Sequence, residues 1–271
     1  MGVAAVLIRL FLALCLPLSL VLYILGWNYL DTLVLFQDIM IVLVILYATF
    51  LAFKVSGKYE NQDKIKACWF LFGIGFLFYA IGESFYIWYE GYQELQDAFP
   101  NLGDGFIVAG YIAFFISYWK VLQHSIHSSF FPSNHQLKLS IAIISIFYLL
   151  VFCGMIGPSL LFDQKSIWEI LTFQIYPILD LIEFAFCIRL LLLFSFFGNA
   201  KIAQPWMILC SSSVLSLLTD LAYSYFAFLE NDYIYFWVNT LFILVYGTMA
   251  FAFQKQIELL ESIDEKYANK M

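Results

Sequence analysis

The chain has 271 residues, of which 63% are apolar, 20% aromatic and only 12% charged, and its mean hydropathy is +0.86. A water-facing globule of that composition would expose large apolar patches, which excludes a soluble enzyme, a disordered chain, a collagen and a soluble coiled coil; a bilayer is the expected surrounding. The net charge of −7 gives nucleic acid nothing to bind, and none is expected as a partner.

Taken in chain order, eight apolar stretches reach the length of about 20 residues that a membrane crossing needs. They lie near 7–27, 33–54, 67–89, 103–123, 138–160, 169–196, 203–229 and 233–254. The first has a short basic start but no small-residue cleavage site, and Gly26-Trp27 suits a membrane–water boundary, so it reads as a retained helix rather than a secretory signal. Lysine placement sets the orientation. Lys54, Lys58, Lys64 and Lys66, then Lys120 and Lys138, then Lys201, with Arg9, Lys255, Lys266 and Lys270 at the ends, all fall on one side of an eight-span chain. Asp31, Glu90, Glu94, Asp97, Asp163, Glu169, Glu230 and Asp232 fall on the other, together with Lys165, while Arg189 lies within span six. Cytoplasmic loops carry the basic excess, so both termini are expected inside a cell membrane.

An offset of 137 residues pairs Phe36-Gln37 with Phe173-Gln174, Trp69 with Trp206, Tyr86 with Tyr223, Gly110 with Gly247 and Glu83 with Asp220. The spans map one to five through four to eight under the same shift. An even number of spans per repeat leaves the halves parallel, related by an axis along the membrane normal. The expected fold is all-α and integral to the membrane. It has eight transmembrane helices as two parallel four-helix repeats, 1–136 and 137–254, followed by a cytoplasmic amphipathic tail, 255–271.

Carboxylates at membrane depth carry the chemistry, because an ionisable group there costs several kcal/mol unless compensated. Asp38, Glu83, Asp180, Glu183 and Asp220 are the candidates. At about 1.5 Å per residue, Asp38 and Glu83 lie roughly 8 to 11 Å below the outer surface, and Asp180 and Asp220 about 14 to 17 Å below it. Asp180 and Glu183 share a helical face; Tyr86 and Tyr223 each follow an acid by three residues. These seven residues define a candidate outward-facing, acidic-aromatic ligand site, with interhelical hydrogen bonding or a proton relay as the competing uses.

Other constellations are weaker. His124, His127 and His135 lie on one connector without a Cys or carboxylate and read as solvated; Ser211-Ser212-Ser213 and the glycines at 73, 75 and 82 read as helix-packing positions. Cys15, Cys68, Cys153, Cys187 and Cys210 are widely spaced in apolar runs and read as small buried hydrophobes. Neither a metal nor a cofactor is expected, and no P-loop or dinucleotide fingerprint is present.

Phe99-Pro100-Asn101-Leu102-Gly103-Asp104 running into Gly110-Tyr111, and Pro205-Trp206 followed by Thr219-Asp220-Leu221-Ala222-Tyr223, resemble the multi-span amino-terminal sensor modules of bacterial and archaeal diguanylate cyclases and histidine kinases. That resemblance implies a membrane receptor that signals to a cytoplasmic output, and the partners expected are the lipid bilayer and a cytoplasmic signalling protein or a second copy joined through the C-terminal tail. Gly82-Glu83 and Thr219-Asp220 also resemble the paired acid positions of the lysoplasmalogenase family. This implies an intramembrane lipid hydrolase as the rival, although that family's later His is replaced here by Tyr118 or Trp119. A small-molecule or cation transporter is the third class. In the tail, Phe253, Ile257, Leu260 and Tyr267 share one face and Glu258, Glu261, Glu265 and Lys266 the other, which predicts a helical extension of the last span toward a partner.

Overall fold

The computed structural model describes residues 3–26, 29–92, 101–127, 134–151, 167–195, 201–228 and 232–268. Among these, eight α-helices follow in order: α1 Val3–Leu25, α2 Leu30–Gly57, α3 Lys64–Tyr86, α4 Leu102–His127, α5 Asn134–Val151, α6 Ile167–Ser195, α7 Gln204–Phe228 and α8 Asp232–Ala268. There is no strand among the described residues. Each predicted apolar stretch overlaps one helix, and six helices are long and apolar enough to cross a membrane. The other two are α5, whose apolar run is the shorter Lys138–Leu149, and α6, which places Asp180, Glu183 and Arg189 in its middle.

Local chemistry sets the helix ends. Asn101 caps α4 by accepting the Gly103 N–H at 2.6 Å, while Asp104 reaches back to the Asn101 N–H at 2.6 Å. Two N-terminal donors are thereby satisfied reciprocally. The α2–α3 turn is closed by the Glu60 N–H donating to Asp63 at 3.1 Å. At the far end of α3 the helix widens into a π-helical segment, Ile87–Tyr92, so the predicted third span does not continue as regular α-helix to 89. Within the spans, Thr49, Ser84, Thr219, Thr240 and Thr248 donate to the carbonyl four residues back. Such bonds satisfy hydroxyls where no water is at hand.

Helix contacts run α2–α3–α4–α6–α7–α8 and back to α2, which closes a ring of six. Outside the ring, α1 packs on α8 and α5 on α6. The exterior of α1 is apolar and bare, with Leu7 60% and Ile24 65% exposed, as a lipid-facing surface would be. The α3–α4 seam is built from glycine: a methyl on Gly82 would lie 2.6 Å from Ile107 and 3.0 Å from the Gly103 carbonyl, and one on Gly110 3.0 Å from the Gly75 carbonyl. Small residues let two backbones approach in this way, as expected for Gly75 and Gly82. Gly73 meets the Phe53 ring instead. Toward the end of the bundle that holds the Lys58–Asp63 turn, the ring is filled by aromatics. Trp69 and Trp206 have ring centroids 4.3 Å apart, Phe253 stands edge-on to Trp69 at 5.8 Å, and Phe194 stacks on Trp206 at 5.8 Å. Cys15, Cys68, Cys187 and Cys210 are free and buried; Cys153 lies outside the described residues.

Candidate functional site

Three carboxyl–phenol pairs form a ladder where α4 meets α6. At its first rung the hydroxyls of Tyr86 and Tyr176 both donate to one oxygen of Asp104, and the two hydroxyls lie 3.1 Å apart. At the second, Tyr111 donates to Asp180. At the third, Tyr118 is 3.3 Å from a Glu183 oxygen and 2.8 Å from the Ser213 hydroxyl of α7. The sequence places these groups simply. Asp104, Tyr111 and Tyr118 recur every seven residues on α4, two turns apart on one face; Tyr176, Asp180 and Glu183 follow at four and three on α6.

The candidate acids are distributed around this ladder. Asp180 and Glu183 are buried, 3% and 8% exposed. Glu83 on α3 and Asp220 on α7 are half-buried, and Asp220 lies in the field of Glu83 and of both α6 acids. Tyr246 of α8 lies in the field of all four. The four carboxyls therefore share one region inside the ring. A Ser216 hydroxyl stands 3.4 Å from Asp220. Asp38 lies elsewhere, on the α2–α8 seam, where it accepts from Asn239 at 2.6 Å beside a Gln37–Thr240 bond of 2.8 Å. Tyr86 belongs to the Asp104 rung, and Tyr223 packs its ring against Tyr235 and Phe242 at 5.4 and 6.5 Å.

Sequence reasoning missed Asp104 as a site residue, and with it Tyr111, Tyr118, Tyr176, Tyr79 and Tyr246. Asp104 was visible only as part of a helix-entry motif. The seven-residue spacing on α4 was the available signal, masked by 18 tyrosines spread through the chain.

No group of three or more His, Cys, Asp or Glu among the described residues is placed to hold a metal ion. A groove of about 270 Å³ lies between α2 and α3, lined by Leu46, Ala80, Ile81, Ser84, Phe85 and Trp88. Its lining is apolar apart from Ser84. Among the described residues, five buried side-chain atoms have no hydrogen-bond partner, Oε1 of Gln37, Nε1 of Trp69, Oδ2 of Asp180, Oε1 of Gln256 and Oε1 of Glu258, and of these the Asp180 oxygen belongs to the ladder. A buried unpaired carboxylate oxygen is costly and requires an explanation. Compared with known proteins, the chain matches no family model, no curated protein and no solved structure.

Proposed function

We propose that this chain is a multi-pass sensory module of the cell membrane: eight spans, both ends cytoplasmic, with an acidic-aromatic site in the outer half whose state is passed inward to a cytoplasmic partner or a second copy. The observation that carries this reading is the continuity of α8. It is one helix of 37 residues, about 55 Å at 1.5 Å per residue. Near its start Asn239 holds Asp38, in its middle Tyr246 faces the acids, and near its end it holds the Lys58–Asp63 turn. A rigid element that touches both regions is what a coupled equilibrium between them requires.

The repeat reading draws support from the ring. Exchanging α2, α3 and α4 with α6, α7 and α8 reproduces its contacts, and Trp69 and Trp206, 137 residues apart, meet with ring centroids 4.3 Å apart. The peripheral helices depart from it, since α1 packs on α8 while α5 packs on α6.

The test is a reporter at the far end of the helix. A fluorophore on Asp264→Cys, in a chain otherwise free of cysteine, is expected to shift its emission when Asp220→Asn alters the acid site. An identical spectrum in both proteins would overturn the coupling. The lipid-hydrolase alternative draws on the apolar α2–α3 groove, which reaches Ser84 beside Glu83. Its assay is turnover of lysophospholipids or ether lipids that disappears in both Glu83→Gln and Asp220→Asn.

A further inference from the structure

We infer that the ligand of the acidic core is the proton itself, taken up at Oδ2 of Asp180 and exchanged through Glu83 and Asp220. This deepens the sensory reading and rests on it only for the transmission of occupancy; the binding stands on its own.

Two independent observations lead there. The first is charge without a counter-ion. Among the described residues, the groups that act on Asp180 are the Tyr111 hydroxyl and the Glu183 carboxyl, and those that act on Glu183 are the Ser213 and Tyr118 hydroxyls, none of them cationic. Repulsion between the neighbouring buried carboxylates of Asp180 and Glu183 is relieved when one of them takes up a proton. The second is the unpaired oxygen. Asp180 is 3% exposed, its Oδ1 accepts from Tyr111, and its Oδ2 has no partner while its charge is felt at Asp220 and Tyr246. A proton on Oδ2 turns that orphaned acceptor into a hydroxyl and removes one charge in a single step.

Size then selects the proton over larger cations. Tyr111, Tyr118 and Tyr246 are 4%, 1% and 4% exposed, and Phe114 packs against Tyr79 with ring centroids 5.3 Å apart, so aromatic rings fill the space around the acids. A coordinated metal needs several converging ligands, which the described residues do not group, whereas a proton needs one oxygen. The remaining titratable neighbours are Tyr79 and Glu83 from α3, Cys187 beside Glu183 on α6, Cys210 and Asp220 from α7, and Tyr246 from α8. Of these, Glu83 and Asp220 are the half-buried carboxyls, and the proposed exchange runs through them.

Infrared difference spectra of the full-length chain in lipid nanodiscs, recorded as buffer pH is stepped, read the site directly. The wild type is expected to show a protonated-carboxyl carbonyl band that appears on acidification and vanishes on return. Asp180→Asn should lose that band, and Tyr111→Phe, which keeps the acid but removes the hydrogen bond to its Oδ1, should shift its frequency. Thermal unfolding confirms that each variant is folded; if Asp180→Asn is not, the Tyr111→Phe shift decides. A titrating band that is the same in all three proteins, or none in the wild type, would overturn the assignment. So would stabilisation by sodium or an alkylammonium ion, relative to choline at fixed pH and ionic strength, that Asp180→Asn abolishes. A band that behaves as expected while the Asp264→Cys reporter stays silent upholds the proton site and removes the sensory reading.

Discussion

Asp180 and Asp104 show how one residue type meets two fates inside the same bundle. Asp104 accepts two phenols and a backbone N–H, so its charge is well shared, whereas Asp180 has one phenol and an unpaired oxygen. Losing a donor should therefore cost more at Asp180. Tyr111→Phe is expected to destabilise by about 1–3 kcal/mol, the range for leaving a buried polar group unsatisfied, and Tyr86→Phe by about 0.5–1.5 kcal/mol, since Tyr176 still donates. Unfolding in mixed micelles measures both, and the reverse order would refute the comparison. The glycines divide in the same manner. Gly82→Ala drives a methyl to within 3.0 Å of the Gly103 backbone carbonyl, which cannot rotate away, and should cost about 1–3 kcal/mol. Gly105 has nothing within 4 Å, so Gly105→Ala should be neutral or stabilise α4 by up to about 1 kcal/mol.

Among the elements, α8 and the α2–α3 turn behave as one unit. Gln256 donates to the Tyr59 hydroxyl at 2.7 Å, Lys58 meets Glu261 at 3.0 Å, and Phe253 and Ile257 are buried beneath them. The exposed ion pair contributes at most about 1 kcal/mol, so apolar burial and the Tyr59 contact hold the helix down. Burial pushes the Tyr59 phenol above its ordinary range, reinforced by the Asp63 carboxylate and opposed by the Gln256 amide that donates to it. The native state thus favours the neutral phenol. Its contribution is present below the unfolded-state value and is lost as pH rises through the native one. The melting temperature should accordingly fall more steeply with alkaline pH in the wild type than in Tyr59→Phe, and parallel curves would remove this contact from the account. The tail beyond it remains helical to Ala268, as its apolar spacing predicts.

At the scale of the whole molecule, the six-helix ring brings Asp180, Glu183 and Glu83 into the field of Asp220 while α1 and α5 stay outside. The proposed eight-span arrangement has a direct consequence. Reporter fusions after Tyr59, Gln96, Asn134, Lys165, Asn199 and Asp232 should alternate inside and outside, beginning inside. Two consecutive fusions on one side would refute the topology and, with it, the parallel repeat.

The sequence by itself determined the material and the units. Composition demanded a bilayer, and the apolar runs gave the helices their positions, because backbone hydrogen bonds in hydrocarbon must be closed within the helix. It also identified the intramembrane acids, since charge at that depth is rare enough to be conspicuous. Tertiary structure decided who meets whom. The offset of three from Glu83 to Tyr86 suggested a local pair, yet the Tyr86 hydroxyl reaches across to Asp104, 18 residues away and on another helix. Asp38, equal to the other acids in any linear reading, was separated from them by the ring order, which seats α2 between α3 and α8. A helix periodicity fixes which side chains share a face but not the neighbour that face will find. In a chain where lipid and protein partners are equally apolar, that choice rests on glycine seams and a few polar contacts that only the assembled bundle brings together.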